Sequence, residues 1–294
     1  ACKMPLWKSL RETYQFDRPA ALPMPTMNVL NGGAHAGWTM DVQELMLVPK
    51  RKTVSERIRI GAEVFHALGR LLKEGGHSVA VGDEGGFAPK LGRPEDALAC
   101  MAKAVDAAGY SLGKDVYFAA DVASSEFYDA KKKRYVLRAE KIELTSEALL
   151  ERYAGWMEQY PFESIEDPFA EDDWSAWTEA LPVFEGAEVR VVGDDLLVTN
   201  VERLSRAIEE QAANTILIKL NQIGTLTETV DAIKMAHAAG WATSISHRSG
   251  ETADTTIADL AVACGSEYIK TGSLSRSERV EKYNRLMEIE EGEM

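Results

Sequence analysis

Cysteine is scarce in this 294-residue chain, and both long apolar runs and an excess of basic residues are missing. The three cysteines, Cys2, Cys100 and Cys264, are far apart and odd in number, which indicates neither a disulfide framework nor a cysteine-based zinc site. We therefore expect a reducing, cytoplasmic environment. Without about 18 consecutive apolar residues, no transmembrane helix is expected. The formal net charge of -14 disfavours a nucleic-acid or anionic-membrane partner.

The N-terminal segment lacks an initiator methionine and the charged and apolar regions of a signal peptide. It resembles an interrupted helix, followed by an irregular stretch with Pro19, Pro23 and Pro25. We therefore expect residues 1–26 to be a lead-in that remains after a missing N-terminal domain. Residues 27–294 are then expected to form one catalytic barrel domain, since a chain of this length fits one large α/β domain.

The remaining chain alternates short apolar segments with amphipathic stretches. Alternation of this kind predicts right-handed βαβ units and a parallel sheet, and eight strands predict a closed barrel. The predicted strands are 27–30, 43–48, 116–120, 162–166, 189–193, 215–219, 242–246 and 267–270. The predicted helices are 55–74, 94–109, 145–159, 172–180, 200–210, 224–239, 254–264 and 275–290.

The first two strands break this alternation. The segment that joins them, NGGAHAGWTMDV, is rich in glycine and has no helical periodicity. A short loop suits an antiparallel pair, whereas a parallel crossover usually needs a helix. Two helices then follow before the third strand, so the predicted order is ββαα(βα)₆. An antiparallel second strand places Gln43, Glu44 and the loop with His35 at the face where the other strands end.

Three acids end successive strands of the predicted barrel: Asp121, Glu166 and Asp194. Active sites of such barrels lie at the face formed by the strand C-termini. Three carboxylates and no accompanying histidine suit Mg²⁺ better than zinc. Each acid alone could instead cap a helix or pair with a lysine, but three on successive strands favour a metal site.

Two lysines, Lys219 and Lys270, end strands on the opposite part of the same face. A lysine beside other cations and a metal can have a lowered pKa and act as a base. The alternative for each is a salt bridge at the barrel rim with an acid on a neighbouring strand.

Two loop motifs carry further polar groups. In SHRSGE, Arg248 and Ser249 offer a planar donor fork and a hydroxyl that suit a phosphate, although the string is also compatible with a simple polar loop. In GDEGGFAP, Glu84 lies between glycines that permit close backbone approach. A second carboxylate such as Glu44 could raise the pKa of Glu84 and make it an acid, although a plain tight turn is the alternative.

Together these strings closely resemble enolase (phosphopyruvate hydratase). The resemblance extends in order over nearly the whole chain. It is carried by LNGGAHA, QELMLVP, VGDEGGFAPKL, DVASSEFYD, SIEDPFAEDDW, VVGDDLLVTN, ILIKLNQIGTLTET, SHRSGETADTTIADL and IKTG followed by LSRSERVEKYN. Enolases are lyases of glycolysis that dehydrate 2-phosphoglycerate to phosphoenolpyruvate with two Mg²⁺ ions.

The resemblance implies a role for each matching residue. Asp121, Glu166 and Asp194 correspond to ligands of the first metal, which binds the substrate carboxylate. Lys219 corresponds to the base that removes the proton from C2. Glu84, supported by Glu44, corresponds to the acid that helps the C3 hydroxyl leave.

The remaining matches are to substrate-contact positions. Lys270 corresponds to a residue that binds the substrate carboxylate, and Arg248 and Ser249 to the phosphate site. His247 is expected near the reacting centre. The other substrate contacts are His35, Gln43, Ser246 and, beside their metal role, Glu166 and Asp194.

The chain also departs from the family pattern. The family's N-terminal domain carries a loop serine that binds the second Mg²⁺, and the same domain forms part of the homodimer interface. Because we expect this domain to be missing here, we expect one metal site and impaired turnover. Trp38 also stands where the family usually has asparagine. Two alternatives stay open: a related superfamily enzyme that removes a proton α to a carboxylate without a phosphate, and a non-catalytic enolase-like binding protein.

Overall fold

Eleven strands are present in the computed structural model, which describes residues 3–292, apart from the side chain of His35. Eight of them form a closed barrel and three form a small separate sheet. The strands are β1 (Met24–Asn31), β2 (Glu44–Pro49), β3 (Val116–Asp121), β4 (Tyr128–Asp129), β5 (Arg134–Leu137), β6 (Ile142–Leu144), β7 (Phe162–Glu166), β8 (Arg190–Gly193), β9 (Thr215–Ile218), β10 (Ala242–Ser246) and β11 (Tyr268–Lys270).

The order of strands around the barrel is β1-β11-β10-β9-β8-β7-β3-β2. Strand β2 is antiparallel to both of its neighbours, β1 and β3, and all other adjacent pairs are parallel. The predicted barrel and its reversed second strand are therefore confirmed. The β1–β2 ladder contains an irregularity between Asn28 and Leu30.

Ten α-helices surround the barrel or connect its strands in the described part of the chain. They are α1 (Leu6–Tyr14), α2 (Val54–Glu74), α3 (Pro94–Ala107), α4 (Ser146–Gln159), α5 (Trp174–Gly186), α6 (Val201–Glu210), α7 (Leu220–Ile223), α8 (Leu226–Ala238), α9 (Thr256–Cys264) and α10 (Ser277–Gly292). All eight predicted helices are present. Thr145 and Asn200 cap α4 and α6, because their side-chain oxygens accept backbone N–H groups of the first turn.

The barrel strands are buried on both faces, because one face packs inside the barrel and the other against the helices. Met27, Leu45, Phe118 and Ile165 are almost wholly buried. Truncation of a buried phenylalanine such as Phe118 to alanine costs about 3–5 kcal/mol, because a cavity remains. This rigid core fixes the strand ends, and with them the polar side chains of the barrel mouth.

Two features differ from the sequence prediction. The sheet β4–β5–β6 was not predicted, because its strands are too short for a periodic pattern. Strand β1 begins at Met24, three residues before the predicted start and inside the expected lead-in, because Met24 and Pro25 pair with β11.

Cys2 lies outside the described residues, and Cys100 and Cys264 are free thiols. None of the helices within residues 3–292 has the length and apolar character needed to cross a bilayer.

Candidate active site

A polar cavity of about 260 Å³ opens at the barrel mouth, where the parallel strands end. Antiparallel β2 contributes its first residue, Glu44, to the same face, as the sequence predicted. Eleven predicted site residues line the cavity: Gln43, Glu44, Glu84, Asp121, Asp194, Lys219, Ser246, His247, Arg248, Ser249 and Lys270.

Lys270 binds the acids at the bottom of this cavity. Its Nζ lies 2.7 Å from Oε1 of Glu166, 2.8 Å from Oδ2 of Asp121 and 3.3 Å from Oε1 of Glu44. All four side chains are at most 4% exposed. Although burial lowers the pKa of Lys270, attraction to Asp121 and Glu166 raises it well above its usual value. Lys270 is therefore a fixed cation among the predicted metal ligands.

Lys219 forms the second ion pair of the mouth, with Nζ 2.5 Å from Oδ2 of Asp194. Burial lowers the pKa of Lys219, but the Asp194 carboxylate outweighs burial and raises it. The lowered pKa expected for a base is therefore not found, because the nearest charge to Lys219 is the Asp194 carboxylate. The predicted base and one predicted metal ligand are direct neighbours.

Asp167 is a site residue whose role the sequence did not reveal. Its two carboxylate oxygens accept the backbone N–H groups of Asp194 and Asp195 at 2.9 and 2.7 Å. Asp167, Asp194 and Asp195 each offer an oxygen within 4.8 Å of the others, a group that shares only Asp194 with the predicted metal set. Since both oxygens of Asp167 already accept hydrogen bonds, we assign it to the positioning of the Asp194 turn. The one sequence feature that pointed to Asp167 was its position in Glu-Asp-Pro at the end of a strand.

The mouth contains many more carboxyl groups than cations. Burial, followed by neighbouring carboxylates, raises the pKa of Glu166 and Asp167, and raises that of Asp195 to about 7. Seven acids surround Lys219 and Lys270: Glu44, Glu84, Asp121, Glu166, Asp167, Asp194 and Asp195.

These residues fit a divalent cation. Oδ1 of Asp194 is buried and has no hydrogen-bond partner among the described residues. An uncompensated buried carboxylate oxygen is unfavourable unless a cation or proton reaches it. Hard oxygen donors without histidine or cysteine suit Mg²⁺. Asp194, with Asp121 and Glu166 from the adjacent ion-pair cluster, could supply these oxygens.

Glu44, Glu84 and His247 form the other polar group of the cavity. Nε2 of His247 lies 3.4 Å from Oε2 of Glu84, which also accepts a 3.1 Å hydrogen bond from Nδ2 of Asn28. Burial and the Glu84 charge raise the pKa of Glu44 well above normal. Burial also acts to raise the pKa of Glu84, but its contacts with His247 and Lys270 lower it overall. The shift of Glu84 is therefore opposite in direction to the raised pKa expected from the sequence, and the raised pKa is found at Glu44.

The segment from Ser246 to Ser249 forms the rim of the cavity. Oγ of Ser246 donates to the carbonyl of His247 at 2.9 Å. Nη1 of Arg248 donates to Oδ1 of Asn221 at 2.7 Å, which holds the guanidinium at the rim. An exposed guanidinium beside Ser249 is suitable for an anionic group entering from solvent.

The glycine-rich loop after β1 contains a 3₁₀ turn, Ala34–Ala36, that includes His35. The His35 side chain lies outside the described residues, so its predicted substrate contact stays a prediction. Near it, Trp38 stacks on Arg138 of the small sheet with 4.0 Å between the guanidinium carbon and the ring centroid. Asp41 accepts the backbone N–H groups of Ala139 and Glu140. The small sheet therefore supports the loop. On the cavity side, Nε2 of Gln43 donates to Oδ2 of Asp121 at 3.3 Å.

A comparison with known families agrees with this architecture. Residues 19–293 match the model of the enolase C-terminal TIM barrel domain, which is nearly the whole chain. By fold, strand order and family match, the chain belongs to the enolase family, in its C-terminal barrel domain.

Proposed function

We propose that this protein is a cytoplasmic phosphopyruvate hydratase, which converts 2-phosphoglycerate to phosphoenolpyruvate with Mg²⁺ in glycolysis. The observation that carries the proposal is the placement of the two proton-transfer groups. Lys219, the proposed base, follows β9, and Glu44, which interacts directly with the proposed acid Glu84, begins β2. These strands are diametrically opposite, with β8, β7 and β3 between them on one side and β10, β11 and β1 on the other.

This placement suits an elimination in which the two departing groups leave from opposite sides of the substrate. Lys219 must first lose the proton that its ion pair with Asp194 helps to retain. Its uncharged amine then takes the proton from C2, and the electron pair of that C–H bond forms the new double bond to C3. The C3–O bond breaks, and the hydroxyl leaves as water with a proton donated by Glu84. We assign Glu44 to resupply the proton of Glu84, because the two buried carboxyl groups interact directly.

The carboxylate and the phosphate of the substrate need cationic partners in the cavity. Lys270 is proposed to bind the carboxylate, and Arg248 with Ser249 the phosphate, with His35, Gln43 and Ser246 as further contacts. Asp121, Glu166 and Asp194 would hold a divalent cation, which would stabilise the negative charge of the substrate carboxylate. Removal of the proton is otherwise very unfavourable, because it places a second negative charge on an anionic group.

The test is Mg²⁺-dependent formation of phosphoenolpyruvate, followed by absorbance, together with exchange of the C2 hydrogen in D₂O. Lys219→Ala should abolish both readouts, whereas Glu84→Gln should abolish product formation but retain exchange. Lys103→Ala on the exposed face of α3 is the matched lysine control. The proposal fails if the unmodified chain shows neither product nor exchange, or if Lys219→Ala is as active as Lys103→Ala.

One observation favours a second candidate. Because Arg248 already donates to Asn221, its fork is only partly available to a phosphate. A superfamily enzyme that removes a proton α to a carboxylate without needing a phosphate would use the same acids and lysines. If the C2 hydrogen of glycerate exchanged in D₂O as fast as that of 2-phosphoglycerate, this candidate would be supported over the hydratase.

A further inference from the structure

Arg279 on α10 is a fully buried arginine that neither the proposed reaction nor the predicted site uses. Its guanidinium donates to three backbone carbonyls in the two catalytic loops. Nη1 donates to the oxygen of Arg248 at 2.7 Å, and Nη2 donates to those of Ser249 at 2.7 Å and Asp83 at 3.1 Å. One side chain therefore joins the loop that carries Glu84 to the segment that carries His247.

The same guanidinium contacts the His247 ring directly. Nη1 of Arg279 lies 2.5 Å from Nδ1 of His247. A guanidinium has only N–H donors, so Nδ1 must be the acceptor and cannot carry a hydrogen. A neutral ring with a free Nδ1 carries its hydrogen on Nε2. That nitrogen faces the cavity and lies 3.4 Å from Oε2 of Glu84.

The surroundings of the contact leave little room for another arrangement. A Cβ at Gly272 would lie 2.7 Å from Cδ of Arg279 and 3.0 Å from Cε1 of His247. Gly272 also has a φ of 83°, which disfavours other residues. Arg279 and the imidazole are therefore packed against one backbone position, and the ring cannot turn without displacing the guanidinium.

We propose that Arg279 is a positioning residue that holds His247 as the neutral Nε2–H tautomer and directs this donor toward Oε2 of Glu84. The activity part of this inference rests on the proposed function, whereas the tautomer does not. The guanidinium also opposes a second proton on the ring, because an imidazolium would place two cations in contact. His247 thus donates a hydrogen bond to the reacting groups without adding a charge.

The decisive measurement is the tautomer of His247 by NMR of the chain labelled with ¹⁵N histidine. The two tautomers give different patterns of ring nitrogen and carbon-bound hydrogen signals. A His247→Asn spectrum assigns the signal among the five histidines. We expect the Nε2–H pattern in the unmodified chain, and a mixed or Nδ1–H pattern in Arg279→Met. The matched control is Arg285→Met, since Arg285 of the same helix forms a two-point ion pair with Asp259 away from the site.

Turnover is the second readout. Supporting residues around catalytic groups typically contribute about 10–100-fold. We expect a loss of kcat of that size in Arg279→Met, with a much smaller change in KM, and a partial recovery in Arg279→Lys, which retains the charge but not the fork. A structural role alone would lower the unfolding midpoint and leave the tautomer unchanged.

The outcomes separate this inference from the proposed function. An Nδ1–H or doubly protonated His247 in the unmodified chain would refute it, even if Arg279→Met proved unable to fold. An unchanged His247 pattern in folded Arg279→Met would refute it as well. An Nε2–H pattern that depends on Arg279, in a chain without hydratase activity, would support the tautomer control and reject the proposed reaction.

Discussion

The Nζ atom of Lys219 lies 2.5 Å from Oδ2 of Asp194, so the proposed base and a proposed metal ligand form one ion pair. Both side chains are largely buried, and the pair is therefore screened little by water. A cation at Asp194 would compete directly with Lys219 for the carboxylate. Cation binding and the protonation of Lys219 are thus expected to be linked.

Mg²⁺ should stabilise the chain, because it relieves repulsion among the crowded acids. At a Mg²⁺ concentration of 100 times Kd, binding adds about 2.7 kcal/mol to the free energy of unfolding. Asp194→Asn should remove most of this increment in a thermal-unfolding titration, whereas Asp231→Asn on the exposed face of α8 should not. An equal Mg²⁺ response in all three proteins would contradict the assigned site.

Asp167→Asn should destabilise the chain even without a metal. Asparagine can accept one of the two N–H groups that Asp167 accepts, but its NH₂ group must then face the other. A buried N–H without a partner costs about 1–3 kcal/mol. Chemical denaturation in EDTA measures this loss. If Asp167→Asn were as stable as the unmodified chain in EDTA and weaker only in Mg²⁺, Asp167 would be a ligand instead.

His237 should make the chain sensitive to mild acid. Burial and Arg18 lower its pKa to about 4, against 6.5 in the unfolded chain, although Glu267 and Asp17 act to raise it. The unfolded chain therefore binds more protons between these values, and stability falls as the pH falls from about 6.5 to 4. The pKa difference corresponds to at most about 3 kcal/mol, and since the ring is partly exposed we expect about 1–2 kcal/mol.

His237→Gln should reduce the difference in unfolding free energy between pH 7 and pH 4.5. Glutamine can still donate to Oγ1 of Thr243, which lies 3.2 Å from Nε2 of His237. His66→Gln on the exposed face of α2 is the control for removal of a histidine from a helix. The assignment fails if the two variants have the same acid sensitivity.

The contact between Trp38 and Arg138 should slow opening of the loop that contains His35. Cation–π contacts contribute about 0.5–2 kcal/mol. Trp38→Ala and Arg138→Ala should each increase hydrogen exchange at the amides of residues 34–42, and the double variant should add little more. Arg206, at 3.8 Å from the ring centroid of Trp174, offers a matched pair remote from the loop. Strictly additive effects at Trp38 and Arg138 would show that the stack does not hold the loop.

The sequence predicted the barrel well because strand ends are marked twice, by the end of an apolar run and by a functional side chain. Asp121 and Lys270 are examples, since each is both the last residue of its strand and a cavity residue. The reversed β2 was predictable for another reason: a glycine-rich loop of that length cannot contain a crossover helix.

Roles that depend on three-dimensional packing were not predictable. Asp167 follows Glu166 directly, yet one binds Lys270 and the other binds backbone amides, and the sequence gives no sign of the difference. The protonation order of Glu44 and Glu84 depends on the distances to His247 and Lys270. Arg279 lies far along the chain from the loops that it joins, so only the fold shows its contacts.

The hairpin of β1 and β2 has a consequence for engineering. Glu44 pairs with Asn31 and Leu45 with Leu30, and alternate residues of a strand point to opposite faces. Insertion of one residue within β2 would therefore shift the pairing by one and turn an aliphatic side chain toward the cavity in place of the carboxylate. Insertions in the preceding loop leave this strand alignment intact, and they change instead the segment that carries His35 and Gln43.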